Sequence, residues 1–152
     1  MMTNPEMSYD KELPKKHSLS FDASIPFIRQ IYFFYGVFFS QQEERTITLS
    51  GDDLSLEVCN SMPETSDVQS FVREFPGKKQ DFLDAFASLH IGDWEPGYYD
   101  YHVLDGTSWA LIIRFCNGQD EIEIKGSNAY PDNFADFYDL IKLEENDAFC
   151  RE

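Results

Sequence analysis

The stretch from Asp105 to Leu143 constrains the fold of this chain more than any other: D-G-T-S-W-A-L-I-I-R-F-C-N-G-Q-D-E-I-E-I-K-G-S-N-A-Y-P-D-N-F-A-D-F-Y-D-L-I-K-L. It predicts a β-hairpin that breaks at Gly126 and feeds directly into a helix. Asn117-Gly118 is the turn signal, because a type I′ turn needs positive φ at both central residues. A two-residue loop there sets Ile113 opposite Ile122, Leu111 opposite Ile124 and Trp109 opposite Gly126. Side chains alternate across a strand, so Trp109, Leu111, Ile113, Ile122 and Ile124 share a core face. Arg114, Glu121, Glu123 and Lys125 share the wet one. Pro131 suits the first turn of the helix that follows, where its missing N–H costs nothing. From about Pro131 to Lys142 that helix carries one stripe of Phe134, Phe137, Tyr138 and Ile141.

The rest of the chain supplies partners for this unit. Ile25 to Phe39 is apolar at both parities, which predicts an inner strand covered on both faces. After a polar loop over 40–45, T-I-T-L-S-G-D-D-L-S-L-E-V-C predicts a second hairpin. A type II′ turn at Gly51-Asp52 pairs Leu49 with Leu54 and Ile47 with Leu56. Val68–Phe75 and Tyr99–Leu104 are weaker strand candidates. Between them, Phe82, Leu83, Phe86 and Leu89 recur at helical spacing over Lys78–Ile91, with Gly92 as the stop. The expected fold class is α+β: an antiparallel sheet of about five to six strands built from hairpins, with two helices packed on one face. Residues 1–24 are expected to be a mobile arm, 25–143 a single domain, and 144–152 a frayed acidic tail.

Charge sets the functional bounds. The net charge is −16, and residues 51–152 hold 22 acids against seven bases. Such a surface repels nucleic-acid phosphate and anionic membrane, and its natural complement is a basic protein partner. No basic segment followed by an apolar run opens the chain, so cytoplasm is the default compartment. Three cysteines without close spacing argue against a disulfide framework or a structural zinc site. Cys59 and Cys116, at predicted strand ends, read as small buried hydrophobes, and Cys150 as exposed.

Motifs for chemistry do not assemble. There is no G-x-S-x-G elbow, Walker pattern or dinucleotide glycine pattern, and the acids lack EF-hand or H-E-x-x-H spacing. No catalytic residue, metal ligand or cofactor is assigned. His102 with Cys116 across neighbouring strands is the nearest approach to a reactive pair.

The segment D-G-T-x-W-x-L-x-I followed by G-S-N-A-Y-P-x-N-F, from Asp105 to Phe134, resembles a motif of small uncharacterised bacterial proteins. These occur free-standing in the cytoplasm and in mobile elements. The resemblance implies a bacterial or phage origin and the hairpin-helix core, and it brings no catalytic residues.

The expectation is a non-enzymatic acidic binding protein, of the immunity or inhibitor type, that occupies a basic surface on a protein partner. A partner surface that normally binds nucleic acid is included, with this chain as the nucleic-acid mimic. Its contacts would be Asp120, Glu121, Glu123, Asp132, Asp136, Asp139 and Tyr98. The alternative is a small-ligand or carbohydrate-binding module using Trp94, Tyr99, Tyr101, Asn128 and Tyr130. An enzyme assembled from distant acids and a histidine is the third option. A homodimer through an exposed sheet edge is a further use of the same surface.

Overall fold

A computed structural model describes residues 20–37, 40–62, 64–102 and 106–150. Its strands are β1 (Ile28–Val37), β2 (Gln42–Ser50), β3 (Asp53–Met62), β4 (Asp67–Phe75), β5 (Gly97–Tyr99), β6 (Thr107–Phe115) and β7 (Ile122–Ser127). They form one sheet in the order β4-β3-β2-β1-β6-β7-β5. Every neighbouring pair is antiparallel except β5 with β7. Helices α1 (Phe21–Ser24), α2 (Lys79–Ala87), α3 (Phe134–Ile141) and α4 (Asp147–Cys150) complete the described structure, with short 3-10 turns between them. The class is α+β. Seven strands stand in place of the expected five to six, because both weak candidates supply one. The second of these is shorter and earlier than expected and runs parallel to its neighbour.

The hairpin registers follow from alternation. Trp109 opposes Gly126, Leu111 opposes Ile124 and Ile113 opposes Ile122. Leu49 opposes Leu54 and Ile47 opposes Leu56, across a turn with positive φ at Gly51 and not at Asp52, as a type II′ turn asks. The Asn117-Gly118 turn is a correction. Only Gly118 has positive φ, and Asn117 accepts the Gln119 N–H through its side chain at 3.2 Å. An Asx turn inside a longer connection replaces the type I′ turn and keeps the register.

One face of the sheet is the core. Ile31, Phe33, Ile47, Leu56, Val58, Trp109, Leu111 and Ile113 are at most 2 % exposed there. Phe33 packs on Phe134, Phe137 and Tyr138 of α3, and α2 contributes Phe82, Leu83 and Phe86. Each such side chain contributes roughly 1.5–3 kcal/mol of burial. On the other face Tyr32, Phe34 and Ile112 are only half-buried, and no described helix covers them. The expected two-sided cover of β1 is thereby corrected. Its second apolar row is sheltered by neighbours such as Thr46, Glu44 and Ala110 within the sheet.

Other boundaries differ for physical reasons. Helix α2 ends at Ala87, and the left-handed residue after it is His90, φ 53°, not Gly92. Gly92 is small because Phe21 lies against it: a Cβ there would meet the Phe21 Cβ at 2.6 Å. Helix α3 begins three residues after Pro131, which forms the preceding turn. The tail is docked rather than frayed over 143–150, since Leu143 and Phe149 are buried and Glu144 pairs with Arg45. Of the expected arm, Phe21–Ser24 form a helical turn capped by Ser20, with Ser24 buried; residues 1–19 lie outside the described residues. The cysteine expectations reverse. Cys116 is exposed and Cys59 half-buried, while the Cys150 thiol donates to the Leu143 carbonyl at 3.2 Å.

Candidate functional site

The motif segments meet at the end of the sheet where β6 begins and β7 ends. Asn128, at φ 59°, accepts the Thr107 N–H through Oδ1 at 2.9 Å, and its own N–H donates to the Thr107 carbonyl at 3.0 Å. Gly106 makes room for this latch: a Cβ there would sit 1.9 Å from the Asn128 Oδ1. The Trp109 indole lies across Gly126, where a Cβ would come within 2.0 Å of Nε1. Gly126 is therefore small to admit a cross-strand ring, not to break the strand. The indole N–H donates to the Ala129 carbonyl at 3.0 Å. Tyr130 bonds Thr107 through its hydroxyl. Asn133 accepts the Trp94 indole N–H at 2.8 Å and donates to the Leu89 carbonyl at 2.7 Å.

The Asn128 amide oxygen, both ends of the Asn133 amide, the Trp94 and Trp109 indole N–H groups and the Tyr130 hydroxyl each have a partner inside the fold. The motif is a latch joining strand, turn and helix, and its polar groups are not poised for reaction.

Outside the latch lies a cleft of about 390 Å³. One wall is the turn after α2, with Leu89, His90 and Asp93. The other is Tyr130, Pro131, Asp132 and Asn133, and Trp94 and Tyr98 also line it. Aromatic contacts tie that lining together. Trp94 meets Trp109 edge-on at 6.1 Å, and Tyr98 and Tyr130 both stack with Trp109, at 6.1 and 6.3 Å. Asp93 and Asp132 are exposed at the mouth, and among the described residues no ion pair engages either.

The expected partner-binding residues fall into two groups on opposite faces of the sheet. Glu121 and Glu123 are on the open face, where Arg114 holds Glu121 at 3.1 Å and Lys125 lies 3.7 Å from Glu123. Asp120 is in the connection just before them. Asp132, Asp136 and Asp139 belong to the helical layer, and Lys142 lies 3.7 Å from Asp139. Tyr98 joins this second group at the cleft, its hydroxyl accepting the Glu95 N–H at 2.8 Å. The alternative ligand set divides as well. Trp94 and Tyr130 line the cleft, Asn128 is taken up by the latch, and Tyr99 and Tyr101 stand outside it as an exposed stacked pair, 5.9 Å apart. His102 bonds Asp100, whose backbone N–H joins Ser127 opposite Ser108. Cys116 is eight residues further along β6, roughly 26 Å by strand rise, so the His102–Cys116 pair does not form.

Sequence reasoning missed a buried ion network. Arg45, on the core face of β2, makes two 2.8 Å bonds to Glu144 and a third bond to Glu43. Glu43 in turn accepts the Tyr138 hydroxyl at 2.7 Å. Burial opposes the Arg45 charge, yet the bonds from Glu144 and Glu43 hold its pKa above the ordinary value. Burial likewise opposes the Glu144 charge, and Arg45 outweighs it, so that carboxyl is held below its usual range. Burial, then the bond to Glu43, raises the Tyr138 pKa. The missed signal was parity. Ile47 and Leu49 point inward, so Arg45 does too once 42–45 is strand rather than loop.

Among the described residues, no group of three histidines, cysteines or acids is placed to hold a metal ion, and no helix is long and apolar enough to cross a membrane. No protein-family model, no curated protein and no solved structure matches this chain.

Proposed function

We propose that this chain is a non-enzymatic acidic binding protein that occupies a basic surface of a protein partner, in the manner of an immunity protein or inhibitor. The observation that carries this reading is the cleft: an aromatic lining joined by ring contacts, with exposed Asp93 and Asp132 among its residues and Asp136 on the adjoining helix. An arginine or lysine of a partner gains there both carboxylate attraction and an aromatic face. The −16 net charge supplies long-range steering to the same end. A partner surface evolved to hold phosphate is one such basic surface, which keeps the nucleic-acid-mimic reading within this proposal. Contacts therefore centre on Asp93, Asp132, Asp136, Tyr98 and Tyr130, and the Glu121–Glu123 group is peripheral.

The second reading, a small-ligand or carbohydrate module, draws on the same cleft volume. It is weaker because the Trp94 indole N–H is already bonded to Asn133 and the Tyr130 hydroxyl to Thr107. Few polar handles remain to orient a sugar. An enzymatic reading has less support still: among the described residues the carboxyl that departs from its ordinary value, Glu144, is lowered and ion-paired rather than raised in a cleft.

The test is capture from bacterial lysate at low salt, elution along a salt gradient, and identification of what elutes. The expected result is one basic protein released at moderate salt, and lost when Asp93, Asp132 and Asp136 are all changed to Asn. Capture that is indifferent to salt and to those changes would overturn the assignment.

A further inference from the structure

Strand β4 ends the sheet in a way that soluble proteins avoid. It is nine residues long, lies at the outer edge of the seven-stranded order, and pairs with β3 in unbroken register from Asp67 to Phe75. Eight of its nine residues are exposed. Val68 is 64 %, Val72 62 % and Phe71 42 % exposed. An open edge presents a row of unpaired backbone N–H and C=O groups, and proteins blunt such edges with charged side chains, lysine above all, with proline, bulges or brevity; β4 carries Asp67, Arg73 and Glu74. The sequence D-V-Q-S-F-V-R-E-F has no lysine and no proline, and the pairing shows no bulge. The opposite edge, β5, is only three residues long. The asymmetry marks β4 as an edge meant to be covered.

We propose that β4 is covered by β4 of a second copy of this chain, paired antiparallel about a two-fold axis through Ser70, so that two sheets join into one. The choice of occupant and register comes from the side chains. A two-fold axis normal to the sheet keeps each residue opposite one of the same face, so only registers centred on a single residue are allowed. Centring on Ser70 sets Asp67 against Arg73 of the second copy on one face, and Val68 against Val72 on the other. By symmetry each pair occurs twice. Centring on Phe71 instead sets Val68 against Glu74 and Gln69 against Arg73. Centring on Val72 sets Phe71 against Arg73 and Ser70 against Glu74. Only the Ser70 register places opposite charges face to face and also aligns the exposed valines, and cross-strand pairs of these kinds are the stabilising ones. Arg73, whose guanidinium lies over the Phe75 ring at 5.2 Å within the chain, is thereby placed opposite an acid of the second copy.

This interface is independent of the acidic cleft and responds to salt in the opposite sense. Two chains of −16 repel one another at a distance, and salt screens that repulsion more than it weakens the short-range β contacts. The dimer therefore tightens as salt rises, whereas capture of a basic partner weakens.

Sedimentation equilibrium of the full chain over a concentration series, at low salt and at about 0.5 M NaCl, tests the proposal. The expected result is a monomer–dimer equilibrium that shifts toward dimer at the higher salt. Arg73→Asp sets like charges opposite at both ends and raises the dissociation constant by about tenfold or more. Asp67→Arg does the same, and the double swap Asp67→Arg/Arg73→Asp restores dimerisation. These side chains are exposed, so far-UV circular dichroism of every variant stays that of the parent. A parent chain that is monomeric throughout would overturn the proposal and leave the edge to an extended segment of another protein. A dimer unmoved by the single swaps, or not restored by the double swap, would overturn the β4 register.

Discussion

Arg45 and Glu144, 99 residues apart, meet in a two-pronged ion pair with both N···O distances at 2.8 Å. The contact joins β2 to the turn that follows α3, and with the burial of Leu143 and Phe149 it docks the C-terminal segment. Removing one partner of a buried pair strands the other, which costs more than the pair itself contributes. Glu144→Gln leaves Arg45 with Glu43 and the Ile141 carbonyl, so the expected loss is about 1.5–3 kcal/mol, read as a lower urea midpoint at unchanged m-value.

The same pair sets an acid dependence. The folded pKa of Glu144 is held below its ordinary 4.5, so the folded state binds this proton less readily than the unfolded chain. Its stabilisation is present above the unfolded value and is lost as pH falls through the lowered folded value. Unfolding curves of the parent and Glu144→Gln should therefore converge as pH drops from about 5 toward 2. A gap that stays constant over that window would show that the ion pair is not its source.

Tyr32 gives the matching alkaline prediction. On the open sheet face its hydroxyl donates to Glu44 at 2.6 Å, and burial together with that bond pushes its pKa up to about 12. The raised value means the contribution is present below the ordinary 10 and is lost as pH rises toward the folded value. Phenolate absorbance should show late-titrating tyrosines, Tyr138 among them, and the one contributed by Tyr32 should disappear in Tyr32→Phe. In Glu44→Gln it should titrate earlier, because the nearby negative charge is gone.

Gly126 and Trp109 form a close steric pair in the latch. A Cβ at position 126 would overlap the indole, so Gly126→Ala is expected to cost about 1–3 kcal/mol by overpacking. In a Trp109→Phe background the ring is smaller and the added methyl is tolerated better. The double variant should then lose less stability than the two single losses added together.

Asn128 separates backbone strain from hydrogen bonding. Asn128→Gly keeps an easy positive φ and loses only the side-chain bond to the Thr107 N–H, an expected cost of about 1 kcal/mol. Asn128→Ala loses the bond and also places an alanine in the left-handed region, so its cost should exceed that of glycine by roughly another 1 kcal/mol. Equal losses for the two would mean the backbone at 128 relaxes.

What could be read from the sequence was local. The turn at Gly51 with alternation on both sides specified the β2–β3 register. Alternation also specified the β6–β7 register, even though the turn joining those strands was of another type. The α3 stripe of Phe134, Phe137, Tyr138 and Ile141 could be read the same way, because a period of 2 or 3.6 assigns a face without reference to the rest of the molecule. The tertiary structure alone decided which faces met. Arg45 finds Glu144 and Gly106 makes room for Asn128 only because strands remote in sequence are brought side by side. The acids expected to act together were split between two faces by the sheet running between them. The cleft exists because the turn after α2 lands beside the segment before α3. Periodicity names a buried side, but the identity of its neighbour depends on contacts between distant segments, which no local pattern encodes.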